Sequence, residues 1–112
     1  MSDDLVSIVQ ELREINKKLS HSYKEMWQQS QEYGISERDY KMALHQEILK
    51  LKSEGYPATL ILELAKGTEK VADLRFKRDI SCRRYESAKE IVRSLRTMAS
   101  VWQSILKVQD EV

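Results

Sequence analysis

The sequence predicts an all-α protein, a long bent helical hairpin with coiled-coil-like packing that assembles into oligomers. Three observations carry this. Apolar residues recur at alternating spacings of three and four near both ends of the chain. Of its 112 residues, 33% are charged and 7% aromatic, with Gly 3 and Pro 1, a composition of long solvated helices rather than of sheets. Beyond Gly67 neither Gly nor Pro occurs again, so nothing stops a final helix.

The first helix is predicted over 3–33. Leu5, Ile8, Leu12, Ile15, Leu19, Ser22 and Met26 form a heptad seam whose N-terminal half is the apolar half, while Ser22 and Gln29 weaken it towards Gly34. Gly34 suits a left-handed helix end, and Ser36 followed by Asp39 resembles a capping-box restart, so a kink is expected there. A second helix over 37–54 sets Tyr40, Leu44, Ile48 and Leu51 on one face, and Gly55 ends it. Pro57 fits the first turn of a short helix over 57–66, where its missing N–H is not needed. Gly67 closes that helix and Thr68 is the expected N-cap of the last, over 69–111, with Glu69 at the positive end of its dipole.

The last helix has the clearest pattern. Its seam runs Val71, Leu74, Arg78, Ser81, Tyr85, Ala88, Val92, Leu95, Ala99, Trp102 and Leu106. Arg78 and Ser81 break its apolar character, either to fix register or because the seam rotates locally and leaves both in water. From Ile91 onward a second column of Ile91, Met98, Ile105 and Val112 and a third of Val101 and Val108 widen the stripe beyond what one partner helix covers. The N-terminal part is the basic part, with Lys70, Arg75, Lys77, Arg78, Arg83 and Arg84 leading to Lys89, Arg93 and Arg96. Laid end to end, the first two helices reach about 70 Å and the last about 65 Å. That match favours a hairpin, apolar end on apolar end, over an up-down-up three-helix bundle that would leave the last helix bare.

Composition bounds the function. The chain reads as one domain, 1–112, of a size at which oligomerisation often supplements a modest core. Net charge is +1 and the pI about 7.8, so an acidic partner would have to be met by a local patch. The single Cys82 forms no internal disulfide, and the acidic Asp3 and Asp4 have the wrong sign for a signal peptide, which together point to the cytoplasm. No apolar run is long enough for a membrane span. His21 and His45 stand far apart with no cysteine pair or carboxylate cluster at metal spacing. Cys82 beside Arg83 and Arg84 lacks a histidine arranged to activate it. No phosphate loop or nucleophile motif occurs, so neither enzyme activity nor a cofactor is expected.

What remains is surface. The expected oligomer interface is Leu5, Ile8, Leu12, Ile15 and Leu19 with Ile91, Leu95, Met98, Trp102 and Ile105. The short helix holds Leu60, Ile61 and Leu62, more apolar residues than a hairpin can bury, and at least one should be exposed as a contact for a protein partner. Residues 48–78 also have the outline of a helix-turn-helix. In that reading Lys66, Lys70, Arg75, Lys77 and Arg78 would contact DNA or RNA. Leu62 sits near the place where such a motif needs a small residue. Glu47, Glu54 and Glu63, with the acids of the last helix itself, offer ion pairs as the competing explanation of the basic face.

Residues 54–61 (EGYPATLI) and 64–79 (LAKGTEKVADLRFKRD) resemble an uncharacterised group of small helical proteins from tailed phages and prophages of Gram-positive bacteria. The likeness is looser through Tyr85 and the preceding helix, and the first helix lies outside it. Such proteins are often encoded near replication and recombination genes. The resemblance therefore implies an accessory role in the bacterial host cytoplasm, with host or phage proteins as partners, and brings no catalytic residues.

Overall fold

The computed structural model describes residues 2–111. They form three helices, α1 (Ser2–Ser53), α2 (Ala58–Lys66) and α3 (Glu69–Glu111), with no strand among the described residues. The fold is all-α and has the connectivity of a long helical hairpin: one long helix, a short connecting helix and a long return.

The break expected at Gly34 is absent. α1 runs through 33–37 without interruption, so the predicted helices 3–33 and 37–54 are one. The reason is visible in the seam. Met26, Gln29, Tyr33, Ser36, Tyr40 and Ala43 continue the spacings of three and four across the glycine, and all are buried or half-buried. A glycine in a helix costs only about 1 kcal/mol relative to alanine, too little to outweigh a continuous packed face. Gly34 lies on the exposed side. Ser36 does not cap a new helix; its hydroxyl donates to the Tyr33 carbonyl at 2.9 Å inside the existing one. The three-helix bundle falls with the break, since no second long helix reverses direction.

α1 ends as expected at Gly55, whose φ of 84° is the left-handed conformation that an L side chain rarely adopts. Gly55 N–H donates to the Lys52 carbonyl at 3.1 Å and Tyr56 N–H to that of Leu51 at 3.2 Å. This paired arrangement satisfies carbonyls that a helix end leaves open. Pro57, extended at φ −61° and ψ 137°, stands just outside α2 rather than in its first turn. The turn from α2 to α3 is only Gly67 and Thr68 long. Thr68 does stand immediately before α3, but its hydroxyl donates backwards to the Ala65 carbonyl at 2.9 Å, closing α2.

The chain divides into two compact units. In the first, Met1–Gln28 and Glu86–Val112, the buried residues are Ile8, Ile15, Val92, Leu95 and Ala99. All five lie on the predicted seams. Half-buried Leu12, Leu19, Met26, Ala88, Trp102 and Leu106 complete those seams. In the second unit, Gln29–Tyr85, Tyr40, Ala43 and Val71 pack with Leu44 and Leu74. Leu51, Ile61 and Ala65 form another cluster with Leu44 and Ile48. Ala65, fully buried, is the small residue of α2 that faces this cluster.

Candidate functional site

The seam of α3 turns inward, which leaves its neighbouring columns to meet whatever lies outside. The next column, read every seventh residue, is Lys70, Lys77, Arg84, Ile91, Met98 and Ile105, all exposed. Its character switches from basic to apolar between Arg84 and Ile91. Beside the apolar part run Val101, at 53% exposure, and Val108, at 60%, and beside those run Thr97 and Ser104.

Between Thr97 and Leu106 no charged residue occurs on any side of α3, in a chain that is 33% charged. Ser94, Thr97, Met98, Val101, Ser104, Ile105 and Val108 therefore make one uncharged face. Two of its three hydroxyls need no water. Thr97 donates to the Arg93 carbonyl at 3.1 Å and Ser104 to the Ser100 carbonyl at 3.0 Å. A donor already bonded to its own helix can be covered without the cost of an orphaned polar group. Chemically, this face offers apolar area for burial, with two of its hydroxyls already bonded.

The residues expected to form the oligomer interface divide accordingly. Ile8, Ile15 and Leu95 are core of the chain's own first unit and are not available to a partner. Leu12, Leu19 and Trp102 are half-buried in the same seams. Leu5, Ile91, Met98 and Ile105 are exposed, and Val112 lies outside the described residues. On α2, Leu60 and Leu62 are exposed at 52% and 45%, but Ile61 is buried against Leu51 and Ala65, which removes it from any contact surface. Leu64 is exposed too.

The basic residues also divide. Lys70, Arg75 and Lys77 are exposed, and Lys66 is half-buried. Among the described residues α3 forms ion pairs at Arg78–Asp79, Lys89–Glu86 and Arg93–Glu90, and none that involves Glu47, Glu54 or Glu63. Ion pairing therefore explains the basic character of α3 only in part. Arg78 is drawn into the seam, with its guanidinium carbon 4.5 Å from the centre of the Tyr40 ring and Nη2 2.9 Å from Asp79. With 24% of its side chain exposed, it is poorly placed to reach a phosphate.

Arg78 and half-buried Ser81 thus stay in the seam rather than rotating into water. They belong to a polar stretch with Tyr33, Tyr85 and Cys82. The Tyr33 and Tyr85 ring centres are 6.2 Å apart, tilted by 31°. A hydrogen bond with Cys82 holds the Tyr33 phenol above its ordinary pKa; the charges of Cys82 and Glu37 add to this, and Arg78 opposes it. Nearby on α1, Gln29 Oε1 is buried without a hydrogen-bond partner. No group of His, Cys, Asp and Glu among the described residues could hold a metal ion. His45 lies exposed in a shallow depression lined by Lys41, Met42 and Gln46, with no carboxylate in that lining.

The sequence reading missed two features. Tyr23 and Met26 of α1 line a shallow groove with Lys89, Arg93 and Arg96 of α3, at the edge of the seam to which Met26 belongs. The uncharged face was present in the sequence as a gap in the charge pattern, a signal that counting apolar columns does not register. Among the described residues no helix is long and apolar enough to cross a membrane. No protein-family model, curated protein or solved structure matches the chain.

Proposed function

We propose that this protein is a non-enzymatic helical interaction module that works as a homo-oligomer, an accessory protein of phage or prophage type acting in the host cytoplasm. The observation that carries the reading is the uncharged face of α3, exposed in a single chain, on which the Thr97 and Ser104 hydroxyls are already bonded to their own helix. Burying the exposed remainder of Ile91, Met98, Val101, Ile105 and Val108 contributes about 1 kcal/mol per side chain, so on the order of 10 kcal/mol for two copies. Association costs roughly 4–15 kcal/mol, so these five side chains offset most of that cost and the close packing of the whole face must supply the net affinity.

Sedimentation velocity of the full chain at micromolar concentration tests this. A dimer or larger species is expected, and Met98→Lys with Ile105→Lys should convert it to a monomer of unchanged helix content. A monomeric wild-type protein would remove the reading.

A second reading, nucleic-acid binding, is favoured by Lys70, Arg75 and Lys77, which are exposed and, among the described residues, make no ion pair. Its signature is an affinity for DNA or RNA that falls steeply with salt and is lost when these three residues are changed to Glu. Absence of binding to double- or single-stranded DNA and to RNA at low salt would end it.

A further inference from the structure

We infer that the occupant of the uncharged face is a second copy of the same face, packed antiparallel on a two-fold axis that passes beside Val101. The inference rests on the homo-oligomer reading and goes beyond it by fixing partner, direction and register. Two antiparallel helices related by such an axis place residues at equal distances before and after Val101 opposite each other. Ser94 then faces the partner's Val108, Thr97 faces the partner's Ile105, and Met98 faces the partner's Ser104. Each bulky apolar side chain meets a small hydroxyl-bearing one, and the two copies of Val101 meet at the axis.

This relation is what close helix packing needs. Side chains of one helix enter gaps on the other, so bulk must oppose space. A parallel pairing in the same register would stack Met98 on Met98 and Ile105 on Ile105, and leave Ser104 against Ser104 with nothing to fill the gap. An unrelated partner would impose no mirror relation about one residue. The face also lacks any charge that self-pairing would bring against its own like. Ser104 and Thr97 can line the closed gaps, since their hydroxyls are already bonded to their own helix. A two-fold axis uses the same patch on both copies and closes the assembly at two.

A swap tests the register. Met98→Ser leaves a gap opposite the partner's Ser104, and Ser104→Met sets two methionines against each other, so each should weaken the dimer tenfold or more in sedimentation equilibrium. The double variant M98S/S104M exchanges bulk and space across the same contact and should return the dissociation constant to within about threefold of wild type. Both positions, Met98 and Ser104, are exposed in the single chain, so folding is unaffected and circular dichroism checks it. In parallel, Val101→Cys in a Cys82→Ser background should oxidise to a covalent dimer, because antiparallel helices about 8 Å apart bring facing Cα atoms within disulfide reach. Ser94→Cys alone should not cross-link, whereas a mixture of Ser94→Cys and Val108→Cys chains should. A wild-type dimer in which the double variant is merely additive, or in which Ser94→Cys links to itself, overturns the inference and leaves the homo-oligomer standing. A wild-type monomer overturns both.

Discussion

Replacing Gly34 by alanine should stabilise the protein, and the sign of that change discriminates between a continuous α1 and a helix that ends at 34. Gly34 lies within α1, Gly55 is the glycine with positive φ among the described residues, and a methyl group at 34 would meet nothing within 4 Å. No packing and no strain enters, so the change reduces to the helical preference of alanine over glycine, about 1 kcal/mol. For a chain of this size that is roughly a 4 °C rise in Tm. At Gly55, φ is 84°, and there the same substitution should cost about 1–2 kcal/mol through left-handed backbone strain. Urea unfolding followed by helical ellipticity, at one fixed protein concentration, measures both. A lowered midpoint for Gly34→Ala, with unchanged m, would mean that Gly34 holds a left-handed helix end and that the continuous helix is wrong.

Ile15, only 2% exposed, should cost about 2–5 kcal/mol on truncation to alanine, whereas Leu60→Ser should stay within about 0.5 kcal/mol in the same titration. Arg78→Ala should lose the stacking on Tyr40, about 0.5–1 kcal/mol, with little dependence on salt because Asp79 is half in water. Arg78→Leu should recover that loss or exceed it, and a Leu variant as weak as the Ala variant would refute the seam position. The raised pKa of Tyr33 means that the folded state prefers the neutral phenol. Its contribution is therefore complete below the ordinary value of 10.0 and disappears as pH rises through the folded pKa. The urea midpoint should therefore fall as pH rises above about 10, and Tyr33→Phe should remove part of that fall.

The fold was legible where one face of a helix does one job. Ile8, Ile15, Val92, Leu95 and Ala99 are buried because heptad spacing leaves them no other place, and spacing is what a sequence displays. Gly34 was misread because a local signal, a glycine followed by a capping pattern, was weighed without the seam that runs past it through Tyr33, Ser36 and Tyr40. Those residues are polar or aromatic, and they do not register as a seam when only aliphatic residues are counted. Ile61 could not be separated from Leu60 and Leu62, since one turn of α2 turns inward a single residue and its identity depends on Leu51 of another helix. Exposed Ile91, Met98 and Ile105 were legible as surplus apolar surface. What the sequence-only reading lacked was the assignment of Leu95 and Ile15 to the chain's own core, which requires knowing that α1 and α3 already satisfy each other.

The division into two units has a consequence for the order of folding. Contacts within Gln29–Tyr85 join segments close in the chain, but every contact between the two arms of the other unit closes a loop that contains all of Gln29–Tyr85. Loop-closure entropy grows with the length enclosed, so contacts between the arms are the costlier ones to close. The arms should then be the last part to form and the first to open, with amide protons around Ile8 and Leu106 exchanging well before those around Val71. The uncharged face of α3 lies on one of those arms. Covering it would hold shut the part of the molecule that its own topology holds least.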